Sequence, residues 1–216
     1  MENVTDFVIE PMKEQSKYIV QCRINYKQDG KSKIWDAIQE HESVCILIYN
    51  MTKDCFVFVS QFRPGVYLNS ARRQLGRKEM QMFGAVDPTC VPPKLGISYE
   101  MCAGLVDKDM SLEKTAQMEC LEECGYDVPL ANIEKITSYR TGLGLSGAQQ
   151  TLYYAEVTDD MKVSLGGGLD EEGEMIEVLH IPLKDSRKLL TDDTIPKSIG
   201  LLYGIMWFYE NKKRPE

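Results

Sequence analysis

A strand-rich α+β fold is what this sequence predicts, on three observations. Short runs of β-branched and aromatic residues recur along the chain, beginning with Ser43 to Tyr49 and Cys55 to Gln61. A carboxylate-rich helix with its own start and stop signals, Leu112 to Cys124, is set among them. Strands and helices do not alternate as a doubly wound sheet requires.

Residues 17–26 read as a strand, Asp29-Gly30 is a turn signal, and Lys33 to Ala37 completes a hairpin. The runs SVCILIY and CFVFVSQ read as a buried antiparallel pair, separated by a turn over Asn50 to Asp54. From Pro64 to Gly96 no period holds. That stretch contains Pro64, Pro88, Pro92 and Pro93 and a basic cluster of Arg72, Arg73, Arg77 and Lys78. A loop of that length is either a functional segment or a solvated insertion. Ile97 to Cys102 reads as a strand ending at Ala103-Gly104. Ser111 is placed to cap the helix that follows, and Gly125 supplies the left-handed position that ends it. Ile133 to Tyr139 and Thr151 to Val157 are two further strands. A glycine-rich loop, Leu165 to Gly168, leads through an acidic stretch to a strand near Met175 to His180. Pro196 to Glu210 reads as a helix, with proline in its first turn and Ile199, Tyr203, Met206 and Trp207 in line.

The 216 residues suffice for one sizeable domain with a small accessory element, divided here as strands in 1–40 and a main domain in 41–216. A hydrophobic fraction of 43% and a charged fraction of 27% are those of a soluble globular protein. No apolar run is long enough for a bilayer, and the first residues lack a basic leader and apolar core, so a cytoplasmic protein is expected. The net charge of −8 argues against broad nucleic-acid binding, which needs a basic face. A small anionic substrate is still compatible, held through metal ions and a few local arginines. Seven cysteines at scattered spacings read as free thiols. Cys120 and Cys124 lie four apart on the helix, but the only histidines, His41 and His180, are remote, so both cysteines read as small buried residues.

The informative segment is Gly104 to Gly125. Glu119, Glu122 and Glu123 sit at i, i+3 and i+4, which places three carboxylates on one helical face. Crowded like charges need a neutralising partner, and Mg2+ is a hard cation suited to carboxylate oxygen. A solvated acidic face is the plain alternative. Glu119 and Glu123, one turn apart, are the metal pair, and Glu122 is either a third ligand or a support.

The segment resembles the Nudix box, G-x5-E-x7-R-E-U-x-E-E-x-G-U, with U a bulky aliphatic. Gly104, Glu119, Glu122, Glu123 and Gly125 match in register. Met110 stands in place of the first glutamate, Met118 in place of the arginine, and Tyr126 in place of the last aliphatic. The likeness extends over nearly the whole chain. It includes Gln61-Phe62-Arg63-Pro64, Trp35-Asp36, the run from Gly142 to Thr151, and Glu171-Glu172-Gly173-Glu174 before a strand. These are features of the Nudix branches that hydrolyse nucleotide sugars and ADP-ribose.

The resemblance implies an α/β/α sandwich with a mixed sheet, and an N-terminal β element that pairs two copies into a homodimer. It implies hydrolysis of the diphosphate of a UDP-sugar, UDP-glucose giving UMP and glucose 1-phosphate, with Mg2+ or, in its place, Mn2+. The rival readings are an ADP-ribose pyrophosphatase and a weakened Nudix fold that only binds nucleotide. The Ala103 carbonyl completes the metal set by the same resemblance. Water is the nucleophile, and the base comes from the later acidic loop, with Glu174 best aligned and Glu172 its rival. Arg63 is assigned to a phosphate and Trp35 to the base. The Gly142–Gly147 run lacks the Walker lysine and is expected to be a substrate-facing loop.

Overall fold

The computed structural model describes residues 3–76, 83–169, 171 and 173–212. Its centre is a mixed sheet of seven strands. Strand β4 (Ser43–Asn50) lies between β5 (Cys55–Phe62) and β10 (Gln149–Val157). β4 runs parallel to β10 and antiparallel to β5. β9 (Ile133–Arg140) and β11 (Ile176–Pro182) form the two ends, each antiparallel to its neighbour. β7 (Ile97–Glu100) adds to β5, and β8 (Cys102–Leu105) adds to β4.

Alternation along the central strands builds two cores. Val44, Ile46 and Ile48 of β4, Val57 and Val59 of β5, and Tyr153 and Ala155 of β10 face one side. There they bury Ala116 and Cys120 of α2 (Leu112–Glu122). Cys45, Leu47, Phe56, Phe58, Leu152 and Tyr154 face the other side, against Leu201, Ile205 and Phe208 of α4 (Ile199–Asn211). With both faces apolar, each sheet face needs a helical cover, and the result is the expected α/β/α sandwich. A short helix, α3 (Leu183–Ser186), continues β11 into the second core.

The stretch after Pro64 is corrected by the structure. It is helix α1 (Pro64–Gln74), with proline in the first turn and Tyr67 and Ala71 buried. Those two are four apart, and Val66 and Leu68 beside them are only partly buried, so the buried stripe is too narrow for a period to stand out. Arg77 and Lys78 lie outside the described residues. α1 packs with Val86 and Val91, and with Phe7 and Ile9 from the start of the chain. There β1 (Val8–Ile9) pairs with β6 (Gly84–Ala85).

The single strand expected over 97–102 is two strands. They break at Met101, which is buried against α4's core, and pair with different partners. The last helix begins later than expected, capped by the Ser198 hydroxyl, which accepts from the Leu201 amide at 3.2 Å. Pro196 stays outside it, its carbonyl accepting from Tyr99 N–H. The predicted stripe on this helix is also the wrong one. Ile199 is 78% exposed and Met206 54%, while Gly200 and Gly204 face inward with Leu201, Ile205 and Phe208. A helix apolar all round does not disclose its inner face by period. The glycines do, since a Cβ at Gly204 would come within 3.2 Å of the Met101 sulfur.

The N-terminal hairpin is confirmed as β2 (Ile19–Gln28) and β3 (Lys31–Glu40). Asp29 and Gly30 take φ values of 52° and 77°, as a two-residue primed turn demands. Among the described residues this ribbon pairs with no further strand. No helix among the described residues is long and apolar enough to cross a membrane, and all seven cysteines are free, with Cys120 and Cys124 fully buried.

Candidate active site

At the end of the sheet where β5 runs into α1 and β8 leads to α2, a cavity of about 860 Å³ opens. Glu119, Glu122 and Glu123, Ala103, Arg63 and Glu174 all line it. The structure therefore brings together residues spread over more than half the chain. Glu172 lies outside the described residues; Glu171, its neighbour, lines the cavity.

Local structure explains why the acidic helix has this shape. The Ser111 hydroxyl accepts from the Lys114 amide at 3.2 Å, fixing the helix start. Gly125 has φ 71°, and a Cβ there would strike the Ser164 carbonyl. Gly104 matters for a different reason. A Cβ at that position would occupy the space of the Glu119 carboxylate, which would have to move aside. Gly125 is thus a conformational requirement, whereas Gly104 leaves room for the present position of a carboxylate.

Glu123 is the electrostatic centre. It is 3% exposed, and burial pushes its carboxyl up to about 8, with the negative charges of Glu119 and Glu174 adding to the effect. The Ala103 amide opposes this by donating to its Oε2 at 2.9 Å. A buried carboxylate crowded by others is a poor arrangement unless positive charge joins it. A hard divalent cation satisfies that need, so the residues present fit one. Among the described residues, no three histidine, cysteine or acidic side chains already close on one point as a metal cage. Mg2+ needs no such cage, since it takes one or two carboxylates and completes its shell with water and phosphate.

The loop carrying Glu174 is tied to the same helix. Gly167 N–H donates to the Glu123 carbonyl at 2.9 Å and Gly168 N–H to the Glu122 carbonyl at 3.1 Å. Lys162 adds a hydrogen bond from Nζ to the Cys124 carbonyl at 2.6 Å, satisfying the helix end. The Glu174 carboxylate accepts from Leu169 N–H at 3.0 Å. On the facing side, Arg63 is paired with Glu100 on β7, through Nε at 2.8 Å and Nη2 at 2.5 Å.

Glu100 was not singled out from the sequence; a lone glutamate in a four-residue strand carries no spacing signal. His41, Lys17 and Tyr18 also line the cavity, and only the fold brings them there. Met110 and Met118 line it too, so the positions that depart from the box still face the site. Tyr126 is fully buried, with its hydroxyl accepting from Asn50 at 3.1 Å and 3.3 Å from His180 Nε2, which makes the polar replacement of an aliphatic tolerable. Trp35 is not among the residues lining this cavity. Its indole N–H donates to the Gly144 carbonyl at 3.1 Å, and Ile38 N–H donates to the Leu145 carbonyl. The Gly142–Gly147 run therefore holds the N-terminal hairpin rather than the cavity of its own chain.

No family model matches the chain. Individual relatives do. The uridine diphosphate glucose pyrophosphatase of Bos taurus is 43% identical over 199 residues, covering 90% of this chain and 89% of the relative. That of Mus musculus is 38% identical over 205 residues, with the same coverage. A GDP-mannose pyrophosphatase of Pectobacterium atrosepticum is 28% identical over 174 residues, covering 79% of this chain and 75% of the relative. The extent of these matches, on a sandwich whose acidic helix, box glycines and cavity agree with them, establishes that this chain belongs to the Nudix hydrolases.

Proposed function

We propose that this enzyme hydrolyses the diphosphate of UDP-glucose to UMP and glucose 1-phosphate, using Mg2+ or Mn2+. The observation that carries the reading is the meeting of Glu119, Glu122, Glu123, Glu174 and Arg63 around one cavity. The likeness to two mammalian uridine diphosphate glucose pyrophosphatases supports the choice of substrate.

Glu119 and Glu123 would hold the cation, with Glu122 beside them and the Ala103 carbonyl completing the set. The cation supplies charge neutralisation at the diphosphate and makes water a competent nucleophile near neutral pH. The residues of the chain do the rest. Arg63 binds a phosphate oxygen and orients the diphosphate. Glu174 accepts the proton of the attacking water as its oxygen bonds to phosphorus, with Glu172 as the alternative base. The bridging P–O bond breaks and its electrons leave with the departing phosphate.

The enzyme acts as a homodimer in this reading. One face of the β2–β3 ribbon carries Ile24 opposite Trp35, and both are about half exposed. An isolated two-stranded ribbon is marginal in water, and a second copy of the chain would cover that face. Trp35 would then offer its ring to the nucleobase across the subunit boundary.

A substrate panel with product identification tests the proposal. UDP-glucose, ADP-ribose and GDP-mannose are incubated with Mg2+ and the products separated. UMP with glucose 1-phosphate supports it. AMP from ADP-ribose alone keeps the chemistry and overturns the substrate. No product from any member, with nucleotide still bound, leaves a binding module.

A further inference from the structure

Glu100 lines the same cavity as the acidic helix, a cavity already crowded with carboxylates. A further acid there weakens the binding of an anionic substrate unless its charge is put to use. Its contacts are unusually complete. Oε1 accepts from Arg63 Nε at 2.8 Å and from the Ser98 hydroxyl at 2.6 Å. Oε2 accepts from Arg63 Nη2 at 2.5 Å and from Gln61 Nε2 at 3.4 Å. Its side chain is 16% exposed against 47% for Arg63. The carboxylate is thus the fixed member of the pair, bound by neighbours on β5 and β7, and the guanidinium is the member that reaches solvent.

The geometry of the contact matters more than its strength. An arginine has five N–H donors in a rigid plane. Glu100 takes the side edge, Nε and Nη2. That leaves the end edge, with one hydrogen on Nη1 and the second on Nη2, as a two-pronged fork matched to a pair of phosphate oxygens. We propose that Glu100 is a positioning residue: it holds the plane of Arg63 so that the end edge of the guanidinium is presented to the substrate diphosphate. Glu100 itself touches no reacting atom. The inference rests on the reading of this cavity as a diphosphate site.

The expected signature differs from that of a merely structural carboxylate. In Glu100→Gln the charged clamp is weakened while shape is kept. Michaelis constants for UDP-glucose should rise about tenfold, with kcat and the Mg2+ dependence changed far less. Arg63→Ala should do the same, and the double variant should be no worse than Arg63→Ala alone, because the second change removes a partner already lost. Binding of inorganic pyrophosphate with Mg2+, measured by calorimetry on the intact dimer or monomer as purified, gives a readout that needs no turnover. Loss of pyrophosphate affinity in both single variants, without further loss in the double, supports the proposal. Glu100→Gln with wild-type affinity, or with effects that add to those of Arg63→Ala, overturns it. If wild-type protein binds pyrophosphate but cleaves no nucleotide sugar, the substrate proposal fails while this one is still decided by the binding cycle. If wild-type protein cleaves UDP-glucose and neither single variant changes the Michaelis constant, this proposal falls while the substrate proposal stands.

Discussion

The Ala103 amide and the Glu123 carboxylate are joined at 2.9 Å, so a sheet strand and the last turn of the acidic helix share one hydrogen bond. The glutamate most in need of a cation is thereby fixed against the backbone that offers the next candidate ligand. Replacing it by glutamine keeps the shape and can keep that hydrogen bond. Glu123→Gln should lower kcat on the order of a hundredfold or more, with the melting temperature of the metal-free protein unchanged or higher. Near-normal turnover at ordinary magnesium would place the metal elsewhere.

Metal binding should be linked to pH. The buried Glu123 carboxyl is raised to about 8, above its value in the unfolded chain. Between those two values the folded protein holds a proton that the unfolded chain has released. The metal-free protein therefore loses stability as pH rises through that window. Metal binding has the opposite dependence, because it needs the ionised form. Mg2+ affinity should rise with pH up to about 8, with proton release on binding below that point. Calorimetry in buffers of different ionisation enthalpy counts the protons. A flat affinity over that range would mean that Glu123 is already ionised, and Glu123→Gln should abolish the slope.

Gly104→Ala tests the steric half of the box. The methyl would displace the Glu119 carboxylate, so turnover should fall by about a hundredfold, the cost of a displacement of roughly an ångström at a reacting site. Far-ultraviolet circular dichroism should stay as in the parent protein. Unchanged kcat would show that Glu119 has freedom to move and no fixed role.

Glu174→Gln should reduce kcat much more than it raises the Michaelis constant, since a base acts in the transition state. The same change at Glu172 should be mild. A reversed order would move the base to Glu172, and two silent variants would remove it from this loop.

Ile24→Asp should dissociate the proposed homodimer. Sedimentation velocity gives the mass directly, and activity per chain should fall with it if Trp35 serves the partner's site. A fully active monomer for the parent protein would end this assignment.

How much of this was legible in the sequence depends on where information is local. The acidic helix announces itself through Ser111, three spaced glutamates and Gly125, all within one short stretch. The hairpin announces itself through Asp29-Gly30. Helix α1 was hidden because only Tyr67 and Ala71 of its residues are buried. The start signal at Pro64 was present, and it is the same signal that led to an early start at Pro196. Glu100 could not be found by spacing, since what gives it a role is Arg63, far away in sequence. The inner face of α4 failed for want of contrast, not for want of hydrophobicity.

The parallel pairing of β4 with β10 has a consequence for how the protein is made. Ser43 lies opposite Gln150, with the acidic helix and both of its flanking loops between them in the chain. During synthesis the first half of the sheet emerges with the apolar edge of β4 still open, and each residue of the strand that closes it follows its β4 partner by 107 positions. Contacts so distant form slowly, and an open edge invites pairing with a neighbouring chain. The helix bearing Glu119 and Glu123 has already left the ribosome by then, with its apolar face only partly covered. Late closure of the sheet, and a period in which the β4 edge stays open, are thus built into the order in which these strands are laid down.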